Sequence, residues 1–104
     1  MTVRNNESRM RFEIPLDGTF AVLDYALQDG TVIVTHTEVP PALRGRGLAE
    51  ILVRAALAWI DGRGLKIESR CGYVSRFIGK HPEFQHLVAG SFGQDAPSNQ
   101  VPST

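Results

Sequence analysis

The sequence predicts a mixed α/β (α+β) domain: an antiparallel meander of three strands, a βαβ crossover to a fourth strand and a short C-terminal helix. Three observations carry this. Strand-like runs separated by turn residues fill positions 10–36, helical periodicity takes over from Gly47 to about Gly62, and a short strand pattern returns at Leu65–Ser69. Length bounds the answer too, since 104 residues make one domain. Its folded part can bury only about 60–65% of its unfolded surface, so the core is small.

Residues 1–8 are polar and are expected to be a flexible N-terminus, leaving 9–88 as the domain. Met10-Arg11-Phe12-Glu13-Ile14 alternates apolar with charged side chains, as a half-buried strand does. Pro15-Leu16-Asp17-Gly18 is a turn, and Thr19–Leu27 is rich in β-branched and aromatic residues. Asp29-Gly30 supplies a hairpin turn, after which Thr31–His36 is a strand by composition. Pro40 and Pro41 then force a loop, because proline has no N–H for a ladder and restricts the residue before it.

From Gly47 onward, Leu48, Leu52, Ala55 and Trp59, with a second set at Ala49, Ile51, Ala56 and Ile60, give helical spacing over a wide apolar face. Gly62 and Gly64 end that helix. A right-handed crossover sets Leu65–Ser69 parallel to the third strand. Tyr73 to about Lys80 is a short helix with Val74, Phe77 and Ile78 on one face, stopped by Pro82, and Glu83–Val88 packs back. Residues 89–104 turn to Gly, Ser, Gln, Pro and Asn and are expected to be disordered.

Composition narrows the function classes. Eleven basic and eleven acidic side chains cancel, which argues against nucleic-acid binding through Arg44, Arg46, Arg54 and Arg63, as does the lack of a clustered aromatic platform. A single cysteine excludes an internal disulfide. No apolar run is long enough for a signal peptide or a membrane span, so a cytoplasmic protein without a membrane partner is expected. His36, Glu38 and His81 lack a further ligand at metal-binding spacing, and no metal is expected.

The chemistry concentrates between His36 and Ala49. Gly45 and Gly47 let the backbone turn tightly and approach a ligand where a helix begins with unpartnered N–H groups. Its dipole adds roughly half a positive charge there, and Arg44 and Arg46 add two full ones. An anion-binding loop follows. It is neither a P-loop, lacking the Gly-Lys-Ser/Thr ending, nor a dinucleotide fingerprint, lacking a third glycine at that spacing.

The segment Arg44-Gly45-Arg46-Gly47-Leu48-Ala49 fits an Arg/Gln-x-x-Gly-x-Gly/Ala pattern. With Asp17-Gly18 through Tyr25, His36-Thr37-Glu38-Val39, Cys71-Gly72-Tyr73-Val74 and His81-Pro82-Glu83-Phe84, it resembles the small single-domain members of the GNAT (Gcn5-related N-acetyltransferase) superfamily, over about residues 8–88. The resemblance implies acetyl-CoA, or coenzyme A, as the bound carrier. Its pyrophosphate would lie on the backbone of Gly45, Arg46, Gly47, Leu48 and Ala49 beside Arg44, and the main chain at Val39 would pair with the pantetheine arm and polarise the thioester. It also implies acetyl transfer to an amine, on a small molecule or a protein lysine, by a monomer or weak dimer.

Four side chains are candidates for that chemistry. His36 and Glu38 lie two apart and share one face of an extended strand, where either could take a proton from an amine. Glu38 could equally pair with Arg44 or Arg46, and His36 could be a satisfied buried histidine. Cys71 stands immediately before a helix, whose dipole lowers a thiol pKa. It could protonate the leaving thiolate, accept the acyl group transiently, or simply fill space. Tyr73 is the alternative acid, or a half-buried aromatic.

Two departures from the family pattern stand out. Phe77 and Phe84 occupy the region where many GNAT enzymes carry an acidic tyrosine, and the N-terminal helices that build an acceptor pocket are missing. The leading expectation is therefore an acyl-CoA-dependent N-acyltransferase, with a non-catalytic acyl-CoA-binding or sensing module as the alternative.

Overall fold

Two Asp-Gly turns organise the first half of the sheet. Asp17 and Gly18 have φ of 53° and 76°, and Asp29 and Gly30 have 51° and 79°. Positive φ at both central residues gives the turn twist that paired strands require. These turns join β2 (Arg11–Leu16), β3 (Thr19–Gln28) and β4 (Thr31–Glu38) into an antiparallel meander. The computed structural model describes residues 2–90. Most of the tail expected to be disordered lies outside that range, although Ala89, inside it, donates its N–H to the Ile67 carbonyl at 2.8 Å.

The flexible N-terminus expected over residues 1–8 needs correction. Arg4–Asn6 forms β1, antiparallel to Arg11–Glu13, so the sheet has five strands rather than four. Polarity misled here because the segment is held by cross-strand polar bonds rather than apolar burial. Arg4 Nε donates to Glu13 Oε1 at 2.9 Å, Asn6 Nδ2 donates to Oε2 at 3.2 Å, and the Tyr25 hydroxyl donates to Asn5 Oδ1 at 2.7 Å.

After β4 come a 3-10 turn at Pro41–Leu43, the loop, and α1 (Leu48–Gly62). The chain then forms β5 (Lys66–Ser69), parallel to β4, followed by α2 (Gly72–Gly79) and a 3-10 segment at Pro82–Leu87. The expected crossover is thus present. Leu48, Leu52, Val53, Ala56, Leu57 and Ile60 of α1 and Val74, Phe77 and Ile78 of α2 join one core with Phe12, Ile14, Leu23, Tyr25, Val32, Val34 and Ile67. Both helices therefore cover the same face of the sheet. Each fully buried Leu or Ile stabilises the fold by about 1.5–3 kcal/mol relative to exposure.

One irregularity decides how the site is built. Asp24 pairs with His36 but Tyr25 pairs with Val34, so Thr35 is an extra residue in β4. Such a bulge shifts the alternation of side chains by one. Val34 and Thr37, three residues apart, consequently both face the helices, opposite the core residues Tyr25 and Leu23.

Candidate functional site

β4 outruns its parallel neighbour. Pairing with β5 ends at Val34 and Ser69, and Arg70 N–H closes the ladder on the Val34 carbonyl at 2.9 Å. Beyond that point the chain after β5 turns into α2, while β4 continues to Glu38, supported only by β3. A wedge opens between Thr35–Glu38 on one side and Cys71 on the other.

The loop follows the end of β4 and leads into α1. Gly45 and Gly47 have φ of 82° and 74°, a left-handed region that side chains rarely adopt, and nothing lies within 4 Å of where a Cβ would stand at either. Leu43 and Leu48, both buried, pin the two ends to the core. Among the described residues, no backbone carbonyl accepts from the amides of Gly45 to Glu50. These donors stand at the first turn of a fifteen-residue helix. Arg44 Nε donates to the Val39 carbonyl at 3.2 Å, which fixes the exit of β4, and Arg46 reaches back to Asp17 at 3.7 Å. Val39 itself packs against the core.

Cys71 is the N-cap residue of α2 and is partly buried. Its Sγ lies 3.6 Å from Thr37 Oγ1, so the thiol donates to that hydroxyl and the thiolate would accept from it. Burial pushes the thiol pKa up, but the amides of Val74, Tyr73 and Thr37 and the Thr37 hydroxyl outweigh it and hold the pKa below its ordinary value. Ser69 fixes the backbone here, its Oγ donating to the Cys71 carbonyl at 3.0 Å. Thr37 went unnoticed in the sequence. The alternation that puts His36 and Glu38 on one face necessarily puts Thr37 on the other, and that was the available signal.

His36 and Glu38 do share a face, the one without helices. His36 Nε2 and Glu38 Oε1 are 3.2 Å apart and both side chains are more than half exposed. Glu38 pairs with His36 rather than with Arg44 or Arg46, and His36 is not a buried histidine. These two and the Cys71–Thr37 pair flank the end of β4 from opposite sides.

Tyr73 points elsewhere. Its ring lines a cleft of about 230 Å³ between α1 and α2, with Glu50, Arg76, Phe77, Lys80 and His81. Burial and the nearby Glu50 carboxylate raise its pKa, so the phenol stays neutral. Phe77 is a core residue, stacked on His81 with ring centres 4.0 Å apart. The sequence also concealed Glu13, a buried carboxylate held by Arg4 and Asn6; burial raises its pKa, and those partners with Arg11 bring it below the ordinary value. Among the described residues no group of three or more His, Cys, Asp or Glu could hold a metal ion, and no helix is long and apolar enough to cross a membrane.

A parallel strand runs through a loop with unpartnered amides into a helix, beside a partly buried thiol, within a mixed α/β fold. The profile of the GCN5-related N-acetyl-transferase family matches residues 11–87, and the chain belongs to that family. Protein NATD1 of Danio rerio is 37% identical over 90 residues, covering 84% of this chain and 82% of that protein. Protein NATD1 of Homo sapiens is 35% identical over 88 residues, covering 82% and 78%. A GCN5-like protein of Staphylococcus aureus solved by NMR has the same fold, with a TM-score of 0.70 at 20% identity and 96% of each chain covered.

Proposed function

We propose that this protein is an acyl-CoA-dependent N-acyltransferase that moves an acetyl group from acetyl-CoA to an amine, with Cys71 as a transient acyl carrier. The observation that carries this reading is the Cys71 thiol at 3.6 Å from Thr37 Oγ1, across a wedge that leads to the unpartnered amides of Gly45–Glu50. The edge of β4 beyond Val34 would hold a pantetheine arm with its thioester toward that thiol, and the loop amides would hold the pyrophosphate. The donor set fits the carrier: backbone N–H groups at a helix start for the diphosphate, and an unpaired strand edge for the amides of the arm.

The steps balance. The Cys71 thiolate attacks the thioester carbonyl, forming a new C–S bond, and the CoA thiolate leaves and takes a proton from water. An amine then attacks S-acetyl-Cys71, the C–S bond breaks, and the thiolate is regenerated as the amide forms. The proton lost by the amine passes to water, because the exposed His36–Glu38 pair lies on the opposite face of β4 from Cys71. Helix dipole and N–H groups stabilise the thiolate in both steps. Tyr73, turned into the α1–α2 cleft, takes no part in the transfer.

Incubation with acetyl-CoA followed by intact-protein and peptide mass spectrometry tests this. The expected result is one acetyl group on Cys71, absent in Cys71→Ala, unaffected in Tyr73→Phe and discharged when an amine acceptor is added. Tight acetyl-CoA binding without acetylation would favour the non-catalytic binding module instead.

A further inference from the structure

The Cys71 peptide is gripped by two hydroxyls that the transfer steps leave unused. Ser69 Oγ donates to the Cys71 carbonyl at 3.0 Å and accepts the Cys71 N–H at 3.4 Å, so one side chain holds both polar groups of that residue. Ser75 reaches the same point from α2. Its N–H gives the first intrahelical bond, 3.0 Å to the Cys71 carbonyl, and its Oγ lies 2.8 Å from Ser69 Oγ. A hydroxyl has one proton to donate. The Ser69 proton is committed to the Cys71 carbonyl, so the bond between the serines runs from the Ser75 hydroxyl to Ser69 Oγ. Hydrogen bonds thus run from Ser75 through Ser69 to Cys71, and each polarises the next.

These bonds fix a direction. Cys71 enters α2 in an extended conformation, φ −106° and ψ 125°, and its sulfur gains thiolate character from the Thr37 hydroxyl and the Tyr73 and Val74 amides. A rotation of the Cys71 peptide would carry the sulfur away from those donors. We propose that Ser69 and Ser75 are positioning residues: their paired hydroxyls fix the Cys71 peptide, and with it the register of the sulfur against Thr37 and the start of α2. This rests on the acyl-carrier reading above and names what holds its nucleophile in place. Both serines act through the main chain of Cys71. They border a cavity of about 270 Å³ with Ile67, Ile78 and Val88, so a methyl group fits at position 69. Ser75 is exposed on α2, where alanine is the better helix former, so Ser75→Ala is expected to keep the fold.

Iodoacetamide alkylation of Cys71 across a pH series, run on the full chain beside the acetyl-CoA incubation, decides the matter. Ser69→Ala is expected to raise the alkylation midpoint by about 0.5–1 pH unit. It should also slow S-acetylation about threefold to tenfold, and Ser69→Thr, which keeps the hydroxyl, should restore both. Ser75→Ala should shift the midpoint in the same direction and by less. The Ser69→Ala/Ser75→Ala double variant should match Ser69→Ala, because the Ser75 hydroxyl acts through Ser69. An unchanged midpoint in either single variant would overturn the proposal, and Ser75→Ala keeps that test open if Ser69→Ala does not fold. Additive shifts in the double variant, or no recovery in Ser69→Thr, would overturn it as well. Shifted midpoints in a protein that takes up no acetyl group would remove the acyl-carrier reading and leave the positioning of the sulfur standing.

Discussion

At the scale of single residues the site depends on what surrounds one sulfur. Cys71 at the start of a helix was legible in the sequence, and so was the direction in which a helix dipole shifts its pKa. Its partner was not, because the Thr37 hydroxyl comes from a strand 34 positions away and reaches the sulfur only after the Thr35 bulge has turned it toward the helices. The hydrogen bond from that hydroxyl favours the thiolate, so removing it raises the thiol pKa. Thr37→Val, which keeps the shape, is therefore expected to shift the midpoint of Cys71 alkylation to higher pH, with the unaltered protein titrating below an ordinary cysteine. An unchanged midpoint would mean that the helix amides alone set the ionisation.

At the scale of elements, the strand–loop–helix unit was the most readable part of the chain. Two prolines, two glycines and helical periodicity located it, and α1 runs to Gly62 as the spacing implied. The end of β4 was less visible, since the strand read from composition stopped at His36, whereas β4 runs to Glu38. Pairing of Thr37 with Leu23 and Glu38 with Val22 keeps these residues in the sheet, and tertiary pairing of this kind overrides local propensity. The loop's dependence on left-handed backbone gives an element-scale prediction. Gly47→Ala should cost about 1–2 kcal/mol of stability, because an alanine there is strained whatever the space around it. The same change should weaken acetyl-CoA binding about tenfold or more by disturbing the amides of the first turn. A thermal melt and a titration on one sample separate the two effects.

At the scale of the whole molecule, both helices pack into one core on the same face of the sheet, and among the described residues no helix covers the other. The class of fold followed from the order of strand and helix patterns, whereas β1 did not, because polar bonds to Glu13 and Tyr25 rather than an apolar pattern hold it. Cys71 with Thr37 and the His36–Glu38 pair lie on opposite faces of the end of β4.

The most direct test of this arrangement is an NMR titration of isotope-labelled protein with acetyl-CoA, followed amide by amide. Binding at the loop and wedge requires the largest shifts at Gly45–Glu50, along Thr35–Val39, and at Cys71–Val74, with the amides of β1 and β2 nearly still. Shifts confined to another surface, or none at millimolar ligand, would contradict it and remove Cys71 from the chemistry along with the loop.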